Sequence, residues 1–185
     1  MGAALAGCTQ TDTGQPVAAD HSSPAPGQTS VAIPPRPKEL KIDGLDPCKV
    51  MTKSQLDQIK VDRQRNLTLD KDPFKGSPLC SMDGGDGKVF WNYELTLVTT
   101  EGVASWFNGK HNVDVKLVDV GGFGAAQYKI LGTSNVDCAT AVDVANGQQM
   151  VMQFKPSRNS FTQSQMCQKS EQAAGLALQA LQTPK

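Results

Sequence analysis

From Val89 to Thr99 the chain alternates. Val89, Trp91, Tyr93, Leu95 and Leu97 fall on one side, and Phe90, Asn92, Glu94, Thr96 and Val98 on the other. Period two over that length, in a β-rich composition, predicts a strand with one strongly buried face. Shorter stretches repeat the pattern. Val113, Val115 and Leu117 alternate with Asp114 and Lys116, Gly121-Gly122-Phe123-Gly124 interrupts, and Ala125 to Ile130 resumes. Two further runs, Cys138 to Ala145 and Gln148 to Phe154, flank Asn146-Gly147, a strong hairpin signal. Met150, Met152 and Phe154 share one face of their run, as do Cys138, Thr140, Val142 and Val144 of theirs. A short strand is expected around Leu79 to Met82, joined to the long one by the tight connection Asp83-Gly84-Gly85-Asp86-Gly87.

Helical signals sit at both ends of this β-rich region. Asp46-Pro47 starts a short turn, since Asp caps and Pro fits the first helical position. Thr52-Lys53-Ser54-Gln55 is a capping box with Met51 and Leu56 as its hydrophobic staple, and a helix from about Lys53 to Lys60 follows. Thr100 caps a short helix through Phe107, ended by Asn108-Gly109, whose Trp106 and Phe107 should dock on the sheet. A second box, Thr162-Gln163-Ser164-Gln165, with Phe161 and Met166 as staple, opens a helix to about Leu181. Its expected buried stripe is Cys167, Ser170, Ala174, Leu178 and Leu181. The expected class is α+β, an antiparallel sheet with N-terminal and C-terminal helices packed on it.

The first forty residues follow neither period. Pro16, Pro24, Pro26, Pro34, Pro35 and Pro37 stand among Thr, Ser, Gln, Gly and Ala, without aromatics. Such a segment cannot bury enough apolar surface to offset its chain entropy. Residues 9–39 are therefore expected to be a disordered tether, semi-stiff where proline-rich, and 40–185 a single domain. His21 lies in the tether without metal-ligand company. Ahead of it, Leu5-Ala6-Gly7-Cys8 matches a lipobox, in which the cysteine thiol takes a diacylglyceryl group and becomes the new N-terminus. Only Met1 to Gly7 precede Cys8, without Lys or Arg, so residues 1–8 are expected to be the remnant of a longer signal. The expected location is the extracytoplasmic side of a cell membrane, held through lipid on Cys8.

Charge narrows the function classes. Eighteen basic and eighteen acidic residues balance, and the basic ones are scattered singly, which argues against nucleic acid as a partner. No run of about 18 apolar residues exists to form a spanning helix. Cys48, Cys80, Cys138 and Cys167 lie far apart, unlike the close pairs of structural zinc sites. In an exported chain four dispersed cysteines read as two disulfides.

Candidate chemistry is sparse. The Asp83–Gly87 stretch lacks the remaining oxygen ligands of a calcium loop, because its twelfth position is Glu94 inside the long strand. Gly121, Gly122 and Gly124 lack the Lys-Ser/Thr of a phosphate loop and read as a bulge or loop that could border a pocket. His111, in the turn-like Lys110-His111-Asn112, is expected to be solvated. Neither a catalytic constellation nor a metal or cofactor site is expected. Phe123, Trp106 and Tyr128 are the candidate contacts to a ligand or partner, beside Gly121 to Gly124.

Asp46-Pro47-Cys48 followed by Met51-Thr52, then Leu79-Cys80-Ser81, a Cys138 strand, and Cys167 early in an Ala-rich C-terminal helix, resembles an actinobacterial lipoprotein family. That family is catalogued as domain of unknown function 3558, and the resemblance covers roughly Leu45 to Leu181. Met82 departs from it where an aromatic is more usual. The resemblance implies location and fold and carries no established activity. Four cysteines allow three pairings. The expected one joins Cys48 to Cys80, tying the N-terminal turn to the short strand, and Cys138 to Cys167, tying the hairpin to the C-terminal helix. The expected function is a non-catalytic envelope module binding a ligand or protein. A cell-wall hydrolase or transferase and an accessory subunit of an envelope complex are the alternatives.

Overall fold

The computed structural model describes Met1, residues 31–133 and residues 136–183. Cys8, His21 and residues 9–30 of the expected tether lie outside the described residues. The frame is a seven-stranded sheet in the order β1-β2-β3-β7-β6-β5-β4. Its strands are β1 Val61–Thr68, β2 Pro78–Gly85, β3 Phe90–Val98, β4 Val113–Val120, β5 Phe123–Ile130, β6 Cys138–Ala145 and β7 Gln148–Pro156. Every neighbouring pair is antiparallel. Among the described residues, helical structure is confined to a 3₁₀ turn Pro47–Lys49, helix α1 Lys53–Gln58, a second 3₁₀ turn Val103–Phe107 and helix α2 Gln163–Gln182.

Register turns the sequence alternation into a continuous core. Tyr93, Leu95 and Leu97 of β3 pair with Phe154, Met152 and Met150 of β7. Those three in turn pair with Cys138, Thr140 and Val142 of β6. All are fully or nearly fully buried beneath α2. The helix reaches the sheet through Met166, Ser170, Ala173, Ala174, Ala177 and Leu178, mostly small side chains that permit close approach. Its one buried hydroxyl is satisfied, since Ser170 Oγ lies 2.8 Å from both Thr140 Oγ1 and the Met152 carbonyl. Cys167 and Leu181, expected in the stripe, sit at its margin and are only partly buried.

The disulfides are Cys48–Cys80 and Cys138–Cys167, as expected. They span 32 and 29 residues, each worth about 3–4 kcal/mol in the chain-entropy account of loop closure.

The N-terminal helix does not form a layer. Both capping boxes close with their reciprocal bonds, but α1 has six residues and only Leu56 buried. Lys60, at φ +56°, turns the chain straight into β1, so the helix ends before it can cover the sheet. The fold is thus mostly sheet with a small helical part. β1 itself was not expected, because an edge strand exposed along most of its length carries no hydrophobic alternation. The expected helix from Thr100 is a 3₁₀ turn capped at Gly102.

A smaller core fills the opposite face. Val98, Ala126, Ala139, Ala141 and Val151 pack there against Phe74, Val103 and Trp106. Alanines on β5 and β6 leave the room that the indole occupies. One end of this face is closed by the chain's own residues 33–40, of which 33–39 belong to the expected tether. Ile33 packs against the second core, Arg36 Nη1 meets Asp143 Oδ2 at 2.6 Å, and the Leu40 N–H donates to the Val144 carbonyl at 2.7 Å.

Candidate functional site

Beside this second core lies a cavity of about 480 Å³ with a wall of four rings. Tyr128 is placed there by strand alternation: in β5 it pairs with Ala139 on one side and Val115 on the other, facing away from α2. The 3₁₀ turn supplies Trp106, which is 5% exposed. Its indole N–H donates to Gln149 Oε1 at 2.7 Å, and Gln149 Nε2 donates to the Glu101 carbonyl at 3.0 Å. The indole is thereby fixed in depth and rotation.

The rings pack as a cluster. Trp106 and Tyr128 stack with centroids 3.7 Å apart, and His111 lies 4.4 Å from Trp106 on a plane tilted by 39°. Phe74 meets Trp106 edge-on at 5.6 Å and 72°. Such pairs add about 0.5–1.5 kcal/mol each beyond their buried area. Far from being solvated, the His111 side chain is only 12% exposed, with Nε2 3.0 Å from Glu101 Oε1. The short Asn108–Lys110 turn brings it back onto the indole.

Asp137 and Gln153 are among the polar residues of the lining, with Asp72 and Asn112. Gln153 Nε2 donates to Asp137 Oδ2. Burial holds the Asp137 carboxyl above the usual carboxylate range, against the opposing pull of Gln153 and Lys155. Burial also pushes the Tyr128 phenol well up, with the Asp137 charge adding to it. Lys71, Asp72, Lys110 and Lys129 stand among the lining residues, and Ile130, also in the lining, is an exposed apolar residue. The arrangement can hold an apolar ring against the aromatic wall and accept hydrogen bonds at Asp137. Among the described residues, no group of three or more His, Cys, Asp or Glu is placed to hold a metal ion.

Of the residues expected to make contacts, the structure brings together Trp106 and Tyr128 only. Phe123 is a correction: it is 1% exposed and belongs to the core beneath α2, because β5 begins at Phe123 and the strand directs it inward. Gly121 and Gly122, at φ +60° and +85°, form the two-residue turn between β4 and β5, where both positions require the left-handed conformation. Gly121 borders a shallow hollow of about 330 Å³ with Asp119 and Gln168, remote in composition from the ring wall. Gly124 is approached closely, but by the chain's own residues. A Cβ there would lie 2.8 Å from Ile33 and 3.0 Å from Pro34.

Sequence reasoning missed Phe74, Asp137 and Gln153 and misjudged His111. Phe74 and Asp137 sit in connections without a period, and Gln153 reads as the outward member of an alternating strand. Only the nearness of His111 to Trp106 across a short turn hinted at the cluster.

Among curated proteins and among solved structures, no match to the chain is found. A family model described as "Protein of unknown function (DUF3558)" matches residues 3–180, nearly the whole chain, and the chain belongs to that family.

Proposed function

We propose that this protein is an envelope lipoprotein, lipidated on Cys8 and tethered to the extracytoplasmic side of a cell membrane, whose domain is a non-catalytic binding module. The lipobox at Leu5 to Cys8 supports the anchor, and two disulfides suit an oxidising compartment. No helix among the described residues is long and apolar enough to cross a membrane.

The observation that carries the binding role is the ring wall of Phe74, Trp106, His111 and Tyr128 beside a cavity of about 480 Å³. A concave site of that size, largely apolar with a few convergent polar groups, has the character of a small-molecule site. The test uses anilinonaphthalene sulfonate as an apolar-ring probe. Saturable fluorescence gain with energy transfer from Trp106 is expected, abolished by Tyr128→Ala and unchanged by Phe90→Ser, which removes an apolar side chain 62% exposed elsewhere. Loss in Phe90→Ser with retention in Tyr128→Ala would place binding elsewhere and defeat the reading.

A further inference from the structure

Resting on that reading of the pocket, we infer that its ligand is a saccharide ring, stacked by its C–H face on the aromatic wall and donating hydroxyl hydrogen bonds to Asp137. Three observations converge on this class. The first is the composition of the cavity, whose lining combines four rings with the carboxylates of Asp72 and Asp137 and the carboxamides of Asn112 and Gln153. An aromatic face takes up the apolar side of a pyranose, while the ring's edge presents donors.

The second is the state of Asp137. Among the described residues its carboxylate takes one hydrogen bond, from Gln153 Nε2, whereas two carboxylate oxygens offer about four acceptor sites. The phenol of Tyr128 is close enough to feel its charge. A half-buried carboxylate with spare acceptor capacity favours a ligand bearing several O–H donors over one bearing none.

The third is the distribution of charge, which removes the competing classes. An anionic group would meet the carboxylates Asp72 and Asp137 in the lining. A cation would suit those carboxylates and the ring faces, but Lys71, Lys110 and Lys129 also line the cavity, outnumber the two carboxylates and disfavour its approach. A neutral donor-rich ring meets neither repulsion.

The experiment titrates the full chain with glucose, galactose, arabinose and N-acetylglucosamine, and separately with choline and inorganic phosphate, observing the side-chain resonances of Trp106 and Tyr128. Concentrations run well beyond the ~1 mM dissociation constant expected of so small a ligand. At least one sugar is expected to saturate, with Asp137→Asn weakening it about 10-fold and Tyr128→Phe weakening it less. Both variants should keep the parent protein's near-UV circular dichroism and cooperative urea unfolding, which establishes that they are folded. Silence with every sugar while the dye binds would overturn the inference and leave the pocket reading standing. Tighter binding of choline or phosphate, or undiminished sugar binding in Asp137→Asn, would also overturn it. Failure of dye and sugars alike would bring down the pocket reading itself.

Discussion

Trp106 and Tyr128 stack with their centroids 3.7 Å apart and their planes 23° apart, joining the 3₁₀ turn Val103–Phe107 to β5. The two rings have different tasks. Trp106 is buried, hydrogen-bonded through Gln149 and packed by Phe74 and His111, so it holds the wall in place. Tyr128 is only partly buried and lines the cavity, so it is the ring a ligand can touch.

That division predicts separable effects. Trp106→Ala should lower stability by about 3–5 kcal/mol, the range for truncating a buried aromatic, while Tyr128→Ala should cost roughly 1–3 kcal/mol. Urea unfolding measures both. Equal losses would show that Tyr128 is as much a core residue as Trp106.

How far the sequence revealed this arrangement depends on which face a residue serves. The core beneath α2 was legible, because Tyr93, Leu95, Leu97, Met150, Met152 and Phe154 alternate without interruption and both capping boxes declare their helices. Both disulfide pairings were legible too, one tying the N-terminal turn to β2 and the other tying the hairpin to the C-terminal helix. The second face was not. Its core is built from alanines, from Phe74 in a loop, and from a tryptophan in a turn, none of which leaves a periodic trace. Phe123 misled for a related reason. Glycines on both sides suggested a surface loop, whereas two of them make a tight turn and the third admits Ile33.

The segment 33–40 offers a second prediction. Arg36 and Asp143, 107 residues apart, form an ion pair in which the carboxylate is almost wholly buried. Asp143→Asn should leave the guanidinium with only the exposed Glu39 carboxylate at 3.4 Å as charged partner and lower stability by about 1–3 kcal/mol. It should also release the segment. Limited proteolysis should then cut between residues 33 and 40 faster than in the parent protein, with the sheet core still protected. An unchanged cleavage rate would show that Ile33, Pro34 and the Leu40–Val144 bond hold the segment unaided.

Two aspartates give the stability opposite pH dependences. Burial raises the Asp137 pKa above 3.8, so the folded state binds more protons between that value and the raised one. Stability from this residue therefore falls as pH climbs through the window and remains lowered above it. The Asp83 pKa is depressed, first by the Asn92 hydrogen bond and then, against some burial, by Arg63 and Arg65. Its contribution is present above 3.8 and is lost as pH falls through the depressed value. Asp137→Asn should therefore be more stable than the parent near pH ~7, the difference closing in acid. Asp83→Asn should be less stable near neutrality, with its difference closing in acid as well. Denaturant unfolding across pH 3–8 reads both slopes, and a destabilised Asp137→Asn at neutrality would contradict the burial argument. The same substitution would gain stability while losing the acceptor proposed for the ligand, the exchange expected where a strained group serves binding.

The most direct test of the binding role is a map of side-chain and amide chemical-shift changes while anilinonaphthalene sulfonate is titrated into the full chain. Changes should concentrate at Phe74, Trp106, His111, Tyr128 and Ile130, the ring wall and its rim, and should leave Phe123 and the glycine turn of β4 and β5 unmoved. Changes centred on Gly121 to Gly124, or on the polar face around Arg63 and Asp83, with the ring wall silent, would contradict the account.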